Sequence, residues 1–129
     1  MKITVNIDLT KLRDTAKAEV DFQAGEVRKQ FITVIPGQDM VYLEKRTEAE
    51  RITANPLINP ALVPHLANEA ELNNVGLLQM AATILTMEHQ WKQISAIIEE
   101  KRLTAKKNVD AADSETAINA AKAVNWSLT

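Results

Sequence analysis

The segment VGLLQMAATILTMEHQWKQISAIIEEKRLTAKKNV, residues 75–109, decides the fold. Leu77, Met80, Ile84, Met87, Trp91, Ile94, Ile98 and Ala105 recur in it at three- and four-residue steps, the spacing of one face of an α-helix. An uninterrupted helix of this length would run about 50 Å. A compact domain of this size is only about 36 Å across. The spacing therefore predicts an elongated or kinked molecule, whose apolar stripes need company.

Working outward, a second stripe precedes the first. Leu9, Leu12, Ala16, Val20, Ala24, Val27, Phe31 and Val34 keep the same period and predict a helix over about 9–34, with Asp8 or Thr10 as its cap. Its narrow seam, with Lys11, Asp14, Lys17, Asp21 and Lys29 on the other side, suits packing against another helix. Pro36 and Gly37 then break the chain, and a charged helix follows over about 39–53. The alternative at this break is a β-hairpin, because residues 31–35 and 40–43 are rich in strand formers. The helical hairpin is preferred, since the patterns on both sides have helical period. Asn55-Pro56 and Asn59-Pro60 open a Pro-rich connector over 55–74, in which Pro60 or Pro64 starts a short helix to about Leu72. Asp113 and Ser114 cap a last helix over 114–123, and the chain ends in an extended or frayed tail.

The first residues differ. Ile3, Val5 and Ile7 alternate with Lys2, Thr4, Asn6 and Asp8, which predicts a short strand over 2–8 with one apolar face. A lone strand leaves backbone donors and acceptors unpaired. Its partner is residues 124–128, the segment near Ile35, or a neighbouring chain by strand addition. The expected organisation is one mainly α domain over 1–129. It comprises a docking strand at 1–8, a helical hairpin at 9–54, the connector at 55–74, and the long and C-terminal helices at 75–129.

Composition excludes much chemistry. The chain has 18 Ala against 3 Gly and 4 Pro, a helical balance. Its net charge of −2 argues against nucleic acid as a partner. With no Cys there is no disulfide framework and no thiolate site. The uncharged runs at 52–68 and 72–87 carry prolines or polar residues, so neither reads as a membrane span, and the N-terminus does not resemble a signal peptide. His65 and Glu69 lie four apart on one helix face, yet two ligands make a weak metal site. His89 stands beside Glu88, and adjacent helical residues point apart. Lys101, Arg102, Lys106 and Lys107 complement a helix C-terminus, and Trp91 sits within the long apolar stripe. No catalytic, cofactor-binding or metal residues, no small-molecule substrate and no cofactor are expected. The candidate partner-binding residues are Ile3, Val5, Ile7 and Trp126, the last either a docking anchor or packed back on its own chain.

Residues 25–49, GEVRKQFITVIPGQDMVYLEKRTEA, resemble small proteins of tailed bacteriophages encoded beside tail-fibre and baseplate genes. The pattern is a helix ending in Arg-x-x-aromatic-Ile-Thr, a Gly-Gln turn, then Tyr-x-x-Lys on a charged helix. It falls here on Arg28, Phe31, Ile32, Thr33, Gly37, Gln38, Tyr42 and Lys45. A later Trp before an Ile-rich helix and a basic segment, residues 91–107, is also similar. The resemblance implies a helical, non-enzymatic, tail-associated protein; with apolar stripes that favour self-association, the expected role is an oligomeric virion structural protein at the baseplate or tail-fibre junction. Such a protein is made in the host cytoplasm and contacts other tail proteins. A tail-fibre assembly chaperone, absent from the finished particle, is the alternative.

Overall fold

The computed structural model describes residues 8–32 and 37–128. Among them the chain is mainly helical: α1 (Leu9–Arg28), α2 (Gln38–Ala54), a 3-10 turn (Pro60–Leu62), α3 (Pro64–Leu72), α4 (Leu77–Ala111) and α5 (Glu115–Lys122). No strand occurs among the described residues. The strand expected at 2–8 lies outside them but for Asp8, whose side chain accepts from the Lys11 N–H at 3.2 Å and so caps α1.

Helix ends follow local chemistry. Ser114 Oγ accepts from the Ala117 N–H at 3.1 Å, and Glu115 sits in the first turn of α5, where its charge suits the helix dipole. Asn59 Oδ1 caps the 3-10 turn through Ala61 N–H at 3.0 Å. Gly37, with φ of 83°, precedes α2 rather than closing the helix before it, a left-handed conformation that glycine adopts without strain. α3 ends on Asn74, whose φ is 55°, while Val75 N–H reaches back to the Ala70 carbonyl at 3.0 Å. This is a Schellman-type close built on Asn instead of Gly.

Two expectations need correction. The first helix ends at Arg28, not near 34. The segment beyond it carries Ile32, Thr33, Val34 and Ile35 ahead of Pro36, and β-branched residues before a proline propagate a helix poorly. The β-hairpin alternative fails because Met40 to Leu43 lie within α2.

The helices pack as two compact units. The central unit spans 37–93. Its core joins Ala49 and Ile52 of α2, Val63 and Leu66 at the start of α3, Ala70 further along it, and Met80, Ala81 and Ile84 of α4. The terminal unit comprises 8–32 and 94–128. There α1 buries Ala16, Val20 and Ala24, and Ala16 clusters with Val109, Ala112 and Ile118. So α1 and α2 belong to different packing units, and α4 supplies residues to both cores. The narrow seam of α1 does face helices, namely α5 and the second part of α4.

Candidate functional site

In the terminal unit, polar contacts fix the register of α1 against α4. The Arg13 guanidinium donates to the Ala112 carbonyl at 2.6 Å, Lys17 pairs with Asp110 at 2.9 Å, and Arg28 meets Glu99 at 2.9 Å. Between these, Asp21 accepts from Arg102 Nε at 2.7 Å and from Lys106 Nζ at 3.0 Å. The two helices therefore run antiparallel. Desolvation pushes the Asp21 carboxyl up, but the hydrogen bonds from Lys106 and Arg102 outweigh it and hold it below its ordinary value. Its hydrogen bond to Arg102 raises the guanidinium in turn, and the bond to Asp110 raises Lys17.

The expected basic cluster is thus largely occupied within its own unit. Arg102 and Lys106 hold Asp21, and Lys101 Nζ donates to the Asn125 carbonyl at 2.7 Å. That last bond belongs to a clamp on the C-terminal tail. The Gln23 amide works in both directions: Nε2 donates to the Lys122 carbonyl at 3.4 Å, and Oε1 accepts from Trp126 Nε1 at 3.0 Å. Trp126 is half-buried there, tied to its own chain. Beside the clamp, residues of α4, α5 and the tail line an open surface depression of about 460 Å³. Ala105, Ala120 and Ala121 line it together with Glu100, Thr104 and Asn108.

In the central unit, the two α3 residues four apart each meet a side chain of α2. Glu69 pairs with Lys45 of α2 at 2.7 Å, while His65 Nδ1 lies 2.5 Å from Glu48 Oε2. Glu48 is only 3% exposed, and its other oxygen accepts from the Leu66 N–H at 3.0 Å. Val63 offers no side-chain cap to α3, so a carboxylate from α2 satisfies that helix end in its place. Sequence reasoning missed Glu48. The signal was an acid beside Ala49 on the face that also carries Lys45 and Ile52. His89 is exposed and within 3.3 Å of Gln93. Trp91 is half-buried. Among the described residues, no group of His, Cys, Asp and Glu is arranged to hold a metal ion, and no helix is long and apolar enough to cross a membrane.

Of the candidate partner-binding residues, Ile3, Val5 and Ile7 lie outside the described residues. Large apolar side chains stand exposed elsewhere: Phe22 and Leu103 in the terminal unit, and Met40, Leu43, Leu57 and Leu72 in the central one. Of the positions carrying the resemblance, Arg28 and Lys45 make ion pairs within their own units, and Gly37 and Gln38 start α2. Comparison with protein-family models, with curated proteins and with solved structures finds no match for this chain.

Proposed function

We propose that this chain is a non-enzymatic structural protein of a tailed-phage virion, an oligomeric spacer or adaptor at the baseplate or tail-fibre junction. The observation that carries the reading is the likeness of residues 25–49 to small tail-associated proteins. Exposed apolar side chains on both helical units support it, because a protein that works by contact keeps such surface for its neighbours. In this reading the N-terminal segment forms an apolar docking strand through Ile3, Val5 and Ile7, Trp126 is a further contact residue, and the long helices act as spacers.

Mass spectrometry of purified virions tests the proposal. A junction subunit is present at fixed copy number relative to the tail proteins. Its absence from particles, with abundance in the infected-cell lysate, overturns the structural role and assigns assembly chaperoning instead.

A further inference from the structure

The chain beyond α5 is held differently from the helices it lies on. The core of the terminal unit joins Ala16, Val109, Ala112 and Ile118, with Leu9, Leu12, Ala117 and Ala121 packed around them. All of these belong to α1, α4, α5 or the bend before α5, so that core closes without the tail.

Residues 123–128 follow α5 without regular secondary structure. Their exposure alternates: Val124, Trp126 and Leu128 are half-buried, whereas Asn125 and Ser127 are exposed. The apolar side of the tail thus faces the body, yet none of its residues is fully buried. Side chains of the helices grip it, Gln23 at the Trp126 indole and Lys101 at the Asn125 carbonyl. The Lys101 bond is exposed to solvent, and such bonds exchange for bonds to water at little net cost. Asn125 Oδ1 meanwhile accepts from the Ser127 N–H at 3.0 Å, a local turn that needs no help from the helices. Segments with few buried apolar contacts and wet hydrogen bonds open ahead of the cores beside them.

We propose that residues 123–128 are a releasable arm, which leaves Gln23 and Lys101 as one unit while α1, α4 and α5 stay packed. Docked, the arm withholds Trp126 from any neighbour; released, it offers Val124, Trp126 and Leu128 together. The release does not depend on the adaptor reading, and only the use of Trp126 as a contact rests on it.

Native-state hydrogen exchange on the full chain, read by NMR, tests this. Exchange of the Trp126 indole N–H should hardly respond to low urea, whereas that of the Ile118 amide, bonded within α5, should rise steeply. Equal urea dependence of the two overturns the proposal, because the tail then opens only with the core. Lys101→Met removes the bond to Asn125 without touching Trp126 directly. It should speed exchange of the Trp126 indole about fivefold and leave Ile118 and the Trp91 indole unchanged. An unchanged Trp126 indole shows that the contacts act singly, and equal acceleration at Ile118 makes the tail part of the core; either result overturns the arm. None of these outcomes bears on whether the protein is found in virions.

Discussion

Glu48 is the residue on which most local structure converges. A buried carboxylate that satisfies a helix end cannot be truncated without leaving donors unpaired, so Glu48→Ala should cost about 1–3 kcal/mol in denaturant unfolding. Glu48→Gln retains an acceptor and should cost less, and equal losses in the two variants would show that the carbonyl-type acceptor is irrelevant. Sequence alone left this residue unread for a physical reason. An acid on an apolar seam looks misplaced until the bare N-terminus of α3, which has Val63 where a Ser or Asp would cap it, is brought opposite. His65 and Glu69, four apart on α3, each meet a group on α2 instead, Glu48 and Lys45 respectively.

At the scale of elements, the caps were the most legible features and the ends of the helices the least. Asp8 and Ser114 announced themselves by residue type and position, and Ser114→Ala should destabilise α5 by about 1 kcal/mol, measured as a lower melting temperature. Asn74 holds a left-handed turn that other non-glycine residues enter at a cost, so Asn74→Ala should lose about 1 kcal/mol. The α1–α4 pairing carries a pH signature. Asp21 titrates lower folded than unfolded, so its contribution is complete above the unfolded carboxylate value of about 4 and disappears as pH falls through its lower folded value. The difference in melting temperature between the native chain and Asp21→Asn should therefore shrink on acidification over that window. A constant difference would show that the ion pair is not its source. The end of α1 was misread because the apolar period continues past Arg28 while β-branched propensity turns against the helix.

For the whole molecule, mainly helical architecture followed from periodicity, but the grouping of helices into two cores did not. The stripe along α4 is continuous in sequence, and nothing in it marks where Met80, Ala81 and Ile84 serve one core and Val109 another. Ile52→Ala opens a cavity in the central core and should cost about 2–5 kcal/mol, with amide exchange accelerating first across residues 37–93. The same division has a spectroscopic consequence. The chain's two tryptophans fall one to each unit, Trp91 in the central and Trp126 in the terminal. Replacing either with phenylalanine leaves a single indole emitter, and its colour and quenching then follow one core at a time. Fluorescence can thus address the two halves of the protein separately without any added dye.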